Sequence, residues 1–168
     1  MRFVIEQSFA CDPNKVLQAL TSPRYLAMMG ELPDLSVPVL EDQVRTPTEV
    51  RQRLRFQFAG SLPSMVTKVV DPKRLSWHEH TVVNMLDRTA TFTMVPIHYQ
   101  SFFTCKGMWS LRLDNNPSRT IRTINGDLKV SSPVPFVNGR VEKAIISGLR
   151  ERLAEEPTVL LRWLQNPV

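Results

Sequence analysis

Glu79 is the residue whose type and position most suggest chemistry. It lies in the segment Leu75–Asn84, where the alternation of a β-strand that buries Leu75 and Trp77 also directs Glu79 inward. A buried carboxyl group is costly unless it is paired, so it either bonds a ligand or water or becomes neutral through a raised pKa. Such a group could orient a ligand or act as a general acid or base. The alternative is that the strand twists and Glu79 reaches solvent or a nearby arginine.

The three histidines form no complete metal site in the sequence. His78 and His80 share the strand face opposite Glu79, where two imidazoles two residues apart could supply half of a site. A third ligand would have to come from His98 or an acidic residue, and no spacing fixes one. The sequence therefore predicts no metal and no cofactor. His98 and Tyr99 lie in a turn, either at the rim of a cavity or in a plain loop.

Cys11 and Cys105 are the two cysteines of the chain, and they form no CxxC pair. Neither a disulfide framework nor a zinc knuckle is therefore indicated. Cys105 lies on an apolar strand face, which is typical of a buried, inert thiol. Cys11 precedes a helix start, which can lower the pKa of a thiol. The sequence contains no GxSxG, P-loop, Rossmann glycine, HExxH or EF-hand pattern.

Arg51, Arg53 and Arg55 form a basic ladder on one face of the strand predicted at Glu49–Phe58. Such a ladder is typical of a solvated sheet face with cross-strand glutamates. The alternative is a surface that docks anionic lipid headgroups or nucleic acid. No aromatic side chains are interleaved with the arginines, so base stacking is not indicated.

Composition narrows the class of protein. The chain has 168 residues, 42% hydrophobic and 22% charged, which is typical of one globular domain, so we expect residues 1–168 to form a single domain. The net charge of +5 is modest and contains no Lys/Arg block, so nucleic acid is not expected as a partner. The N-terminus lacks the apolar core of a signal peptide, and no apolar run approaches the ~18 residues of a membrane span. A cytoplasmic protein is expected, with transient membrane contact left open.

Seven strands are predicted, because apolar and polar residues alternate in seven segments separated by turn signals. The segments are Arg2–Phe9, Val37–Thr46, Glu49–Phe58, Leu75–Asn84, Arg88–Pro96, Phe102–Leu113 and Arg119–Val130. Two short helices are predicted after the first strand, beginning at the proline signals Pro13 and Pro23. Gly30 is expected to end the second of them.

One long amphipathic helix is predicted from about Ser132 to Gln165, where apolar residues recur at the helical period among charged ones. The apolar stripe consists of Val141, Ile145, Leu149 and Leu153. Gly148 lies on or beside this stripe, so its missing side chain predicts a gap beneath the helix. Pro157 predicts a kink or a restart before Trp163 packs the last turn.

The order of these elements resembles that of the START-like (SRPBCC, helix-grip) superfamily. The segments Gly126–Glu142, Arg74–Glu79 and Trp163–Leu164 are similar to those of an uncharacterised bacterial family within it. The resemblance implies an α+β helix-grip fold, in which a curved seven-stranded antiparallel sheet wraps around a long C-terminal helix and two short helices follow the first strand. The glycine-rich loop of the plant allergens in this superfamily is absent, and Arg45–Glu49 stands in its place.

Proteins of that superfamily include lipid-transfer domains, polyketide aromatases/cyclases and coenzyme Q-binding proteins, so the resemblance implies a mostly apolar cavity between sheet and helix. Strand alternation and the helix stripe predict the side chains that line it. The predicted ligand-binding residues are Leu54, Phe56, Phe58, Trp77, Glu79, Phe92, Met94, Phe103, Cys105, Trp109, Leu128, Ile145, Gly148 and Leu149. The same stripes could instead fill a solid core.

The predicted function is therefore binding of a hydrophobic or amphipathic small molecule, of lipid, sterol-like, polyketide or quinone type. One alternative is an enzyme similar to a polyketide cyclase or hydratase, with Glu79 as its acid/base and candidate catalytic residue and a histidine or tyrosine at the rim of the cavity. A second alternative is an interaction module whose cavity is collapsed and whose basic sheet face contacts a partner.

Overall fold

A computed structural model of the protein describes residues 1–34, 36–60, 64–67, 71–115, 118–131 and 138–165. The strands are β1 (Arg2–Phe9), β2 (Val39–Arg45), β3 (Glu49–Gln57), β4 (Ser76–Asn84), β5 (Thr89–Pro96), β6 (Phe103–Leu113) and β7 (Thr120–Val130). The helices are α1 (Pro13–Leu20), α2 (Pro23–Met28), the short α3 (Ser64–Thr67) and the long α4 (Asn138–Gln165), with 3-10 turns at Met29–Glu31 and Pro72–Arg74.

The described strands form one curved antiparallel sheet in the order β1-β7-β6-β5-β4-β3-β2. Strands β2 to β7 follow one another as a meander, while β1 pairs with β7 and so places the first strand of the chain beside the last. Helix α4 lies over the inner face and contacts β1 and β7. The predicted α+β helix-grip fold is confirmed.

Alternation explains why these segments become strands. On β3, Val50, Gln52, Leu54 and Phe56 are buried against the core, while Arg51, Arg53 and Arg55 between them are exposed. One face of such a strand is apolar and the other is charged. A sheet that is covered on one side buries the apolar face and leaves the charged face in solvent. Helix α4 provides that cover.

The proline start signals act as predicted at both α1 and α2, which begin at Pro13 and Pro23, but the predicted end signal of α2 does not. The Asp12 carboxylate accepts a hydrogen bond from the Asn14 amide at 2.7 Å and so caps α1. The prediction that Gly30 ends α2 is wrong: α2 ends at Met28, and Gly30 lies within the 3-10 turn that follows. Gly30 does not take the positive φ of a glycine helix stop. It is required instead by close packing, since a Cβ there would meet the Val37 Cα at 2.6 Å.

Of the kink or restart predicted at Pro157, the restart does not occur, because helix α4 runs unbroken through this proline. Proline removes the amide that would bond the carbonyl of Leu153, four residues earlier. The side-chain amide of Gln7 on β1 donates a hydrogen bond to the Leu153 carbonyl at 2.5 Å instead. A strand of the sheet therefore supplies the donor that the helix lacks. The start of the helix predicted at 132–137 lies outside the described residues. Trp163 packs the last turn edge-to-face on Tyr25, with ring centroids 6.0 Å apart.

No helix in the described parts of the chain is long and apolar enough to cross a membrane.

Candidate functional site

Two adjoining cavities lie between the sheet and α4. The first, of about 180 Å³, is called the apolar cavity, and its walls are almost entirely hydrophobic. The second, of about 120 Å³, is called the polar cavity because charged and amide side chains line part of it. Four side chains line both cavities and are called the junction residues: Trp77, Met94, Leu149 and Arg152.

Each predicted lining residue lies at one or both of these cavities, although contact with a ligand stays a prediction. The predicted residues that line the apolar cavity are Phe58, Trp77, Met94, Phe103, Cys105, Leu128, Ile145, Gly148 and Leu149. Those that line the polar cavity are Leu54, Phe56, Trp77, Glu79, Phe92, Met94, Trp109 and Leu149. Strand alternation selected those of the sheet, because inward strand positions face the space beneath a helix, and the helix stripe selected Ile145, Gly148 and Leu149.

Gly148 lies beside open space, as its place in the helix predicted. Apart from its own helix, no described heavy atom would lie within 4 Å of a Cβ at this position. Ile145 and Leu149 flank the gap and are only partly buried, whereas Ile146 is buried. The exposed parts of Ile145 and Leu149 therefore face the apolar cavity, which they line.

Glu79 lies on the wall of the polar cavity, where part of its surface remains accessible. The Thr81 hydroxyl donates a hydrogen bond to Glu79 Oε1 at 3.1 Å. Burial raises the pKa of Glu79 above its ordinary value, while the Thr81 hydrogen bond and the charge of Arg122 partly offset this rise and Glu156 adds to it. The described ion pairs include none between Glu79 and an arginine. Its carboxyl group is therefore a proton donor or acceptor that faces the cavity.

A stability measurement tests this environment. Because the folded pKa of Glu79 lies above its ordinary value of 4.5, the folded state favours the protonated form. The stability linked to Glu79 is thus fully present below that value and is lost as the pH rises through the folded pKa. We expect the free energy of unfolding of wild type to fall relative to Glu79→Gln as the pH rises, and the two to converge at acid pH. Urea denaturation across a pH series, with exposed Glu155→Gln as control, checks this; parallel curves would contradict it.

The sequence reasoning missed a buried polar network at the far end of the polar cavity. Arg122 of β7 forms an ion pair with Glu156 of α4, and both side chains are almost completely buried. Gln7 accepts from Arg122 Nε at 2.6 Å and donates to Glu156 Oε2 at 2.9 Å. The Tyr25 hydroxyl donates to Glu156 Oε1 at 3.2 Å. Both carboxylate oxygens are engaged, so this network holds α4 on the sheet.

Signals for part of this network were present in the sequence. Arg122 lies two residues before Ile124 and Gln7 lies two residues after Ile5, so alternation directs both side chains inward. Glu156 follows Leu153 at helical spacing on the buried stripe. That the three meet could not be read from spacing, because nothing local fixes where α4 lies over the sheet.

The candidate groups outside the cavities have ordinary surroundings. Glu41 bridges Arg53 at 3.1 Å, Arg55 at 3.3 Å and His78 at 3.3 Å on the outer sheet face. Arg51 pairs with Glu49 at 2.5 Å. The basic ladder is therefore a solvated face with glutamate partners.

The remaining histidines lie at or near the surface, whereas the two cysteines are buried. In the described ranges, no three His, Cys, Asp or Glu residues are placed to hold a metal ion. His98 is exposed and, like Tyr99, lies at neither cavity. Burial raises the pKa of the Cys105 thiol to about 12. Burial also raises the pKa of Cys11, so the lowering expected from its helix start does not occur.

Comparison with known proteins adds a family and a fold. The family model described as "Protein of unknown function (DUF2505)" matches residues 5–164. No curated protein matches the chain. Among solved structures, TTHA0849 from Thermus thermophilus is similar at a TM-score of 0.67 and 14% identity, with 100% of each chain covered.

Two further similar structures are named as aromatase/cyclases. Zhui aromatase/cyclase from Streptomyces sp. R1128 has a TM-score of 0.69 at 11% identity, over 98% of this chain and 95% of that one. The di-domain ARO/CYC BexL from the BE-7585A biosynthetic pathway has a TM-score of 0.62 at 12% identity, over 99% of this chain and 48% of that one. At such low identity these likenesses establish the shared fold.

Proposed function

Because the chain belongs to the DUF2505 family, whose function is unknown, we propose its function from the site itself: the protein binds a hydrophobic or amphipathic small molecule between its sheet and α4. The observation that carries this proposal is the apolar cavity of about 180 Å³ beneath Gly148. Protein interiors are normally packed without voids of this size. The interaction-module alternative requires a collapsed cavity, and the open volume of the apolar cavity argues against it.

Burial is the mechanism of binding that such walls support. Removal of apolar ligand surface from water contributes about 25 cal/mol per Å². The few polar groups, Glu79 among them, then fix the orientation of the ligand rather than supply most of its affinity. Residues of the sheet and of α4 line both cavities. We therefore propose that residues 1–168 act as one ligand-binding domain for a lipid, sterol-like, polyketide or quinone compound.

Substitution at Gly148 tests this proposal. A leucine side chain at this position enters the open space of the apolar cavity, so Gly148→Leu is expected to weaken ligand binding by at least about tenfold through steric exclusion. The fold is expected to be retained and even stabilised by up to about 1 kcal/mol, because leucine favours helix more than glycine does. Titration with a fluorescent lipid probe, followed by tryptophan emission to which Trp77 and Trp109 on the cavity walls contribute, measures binding, and thermal unfolding measures stability.

Gly139→Leu is the matched control. Gly139 also lies in α4 with no described heavy atom outside its helix within 4 Å of a Cβ, but it lines neither cavity. This variant should bind the probe as wild type does. Native mass spectrometry and organic extraction of fresh wild type should in addition reveal a retained apolar compound. Equal binding by the two variants, or no retained compound and no probe binding, would refute the proposal.

Glu79 supports a second candidate, an enzyme similar to a polyketide cyclase or hydratase. A protonated Glu79 could donate to a carbonyl oxygen, and its carboxylate could accept a proton from carbon next to a carbonyl. The raised pKa makes both forms accessible nearer to neutral pH than for an exposed glutamate. The shared fold with two named aromatase/cyclases agrees with this candidate.

The compounds retained by wild type and by Glu79→Gln distinguish binding from catalysis. Ring closure followed by dehydration removes one water, so an enzyme stripped of its acid/base should retain a precursor heavier by one water than the wild-type compound. Mass spectrometry of the organic extracts makes this comparison. Identical compounds in both extracts would rule out this catalytic role, and equal retention of them would also count against Glu79 as the group that orients the ligand.

A further inference from the structure

The junction residues include one charged side chain, Arg152 of α4. It lines both cavities and is partly buried. Its Nε donates to the Pro33 carbonyl oxygen at 3.0 Å, which fixes the side chain against the loop after α2. Within the described residues its two terminal nitrogens have no hydrogen-bond partner. Arg152 therefore presents up to four N–H donors without an acceptor beside a mostly apolar space.

One opposite charge, that of Asp34, acts on this group without a described ion pair. Asp34 lies at the apolar cavity and its charge stabilises the charged form of Arg152, but no described ion pair joins the two. Burial lowers the pKa of Arg152, which reflects the loss of water around its guanidinium. Arg122, the other cation on these walls, is already satisfied by Glu156 and Gln7.

A second donor at the junction also lacks an acceptor. The indole N–H of Trp77 is buried and has no partner among the described residues. Trp77 is 9% exposed and lines both cavities. Buried donors are nearly always hydrogen-bonded in folded proteins, so the unpaired Trp77 N–H indicates a missing acceptor at the junction, where the partly buried Arg152 guanidinium offers further donors.

We propose that the ligand carries an anionic oxygen head group, such as a carboxylate, and that Arg152 binds this group at the junction while the hydrocarbon part fills the apolar cavity. This inference rests on the proposed binding function and specifies the ligand class. Planar guanidinium donors match a carboxylate in two parallel hydrogen bonds, which are stronger than those between neutral groups.

Decanoate and decanol test this assignment, because they share a hydrocarbon chain and differ in the charge of the head group. Both are titrated calorimetrically into wild type at mildly alkaline pH, where decanoate is ionised. We expect wild type to bind decanoate about tenfold or more tightly than decanol, as befits a charge-assisted pair in a partly desolvated site. Arg152→Gln should lose this preference and bind decanol as wild type does.

Arg150→Gln is the matched control, since Arg150 lies on the same helix, is exposed and lines neither cavity. It should keep the wild-type preference for decanoate, and thermal unfolding should show both variants folded. Equal binding of the two probes by wild type, or an unchanged preference in Arg152→Gln, would overturn this inference and leave the proposed function standing. Binding of neither probe by wild type, with no retained compound, would overturn both.

Discussion

Replacement of Glu156 by alanine is expected to lower the free energy of unfolding by about 3–5 kcal/mol. The substitution leaves Arg122, whose side chain is 5% exposed, as a buried charge without a counter-charge. Gln7 and Tyr25 lose the carboxylate acceptor of their hydrogen bonds at the same time. The cost of stranding these groups exceeds the modest net value of the intact ion pair. Urea denaturation followed by circular dichroism measures the change.

Two further variants separate the stranded charge from the loss of packing. Glu155→Ala, next to it on the exposed side of α4, should stay within about 0.5 kcal/mol of wild type. The double variant Arg122→Leu with Glu156→Leu removes both charges, so we expect it to be less destabilised than Glu156→Ala alone. If Glu156→Ala and Glu155→Ala had the same small effect, the network would not be what holds α4 on the sheet.

Trp77→Ala is expected to lower the free energy of unfolding by about 3 kcal/mol and to weaken ligand binding. The indole stacks on Phe56 with ring centroids 5.5 Å apart and meets Phe103 edge-on at 6.5 Å. It also lies between the two cavities, so its removal joins them into a larger space with less surface for a ligand to contact. Chemical denaturation and probe titration measure the two effects, the latter by probe emission because Trp77 itself is gone.

Trp77→Phe is the conservative comparison. It keeps an aromatic ring between Phe56 and Phe103 but removes the indole N–H, which has no partner among the described residues. We expect its stability cost to stay below about 1.5 kcal/mol. Leu113→Ala, at a residue 50% exposed, should cost less still. A cost for Trp77→Phe as large as that for Trp77→Ala would contradict the view that an aromatic ring between Phe56 and Phe103 is what stabilises the site.

The strand bounds were predicted closely from the local sequence pattern. The predicted β1 agrees with the structure residue for residue, and the other six strands differ by one or two residues at one or both ends. Alternation and turn signals are properties of neighbouring residues. They suffice to predict a strand where one face of the sheet is covered and the other is exposed to solvent. They fail where packing overrides them, as at Gly30, where the backbone of Val37 excludes a side chain.

The sequence alone determined the strand face on which Glu79 lies and the place of Gly148 beside the helix stripe, because both follow from local periodicity, but it left open whether Glu79 stays inward. Only the tertiary structure decided that Arg122 meets Glu156, 34 positions away, and that Gln7 meets it across 149 positions. The same docking of α4 on the sheet brings Arg152 to the junction of the two cavities. Periodicity fixes which way a side chain points, but the angle and shift of a helix over a sheet depend on packing across the whole interface.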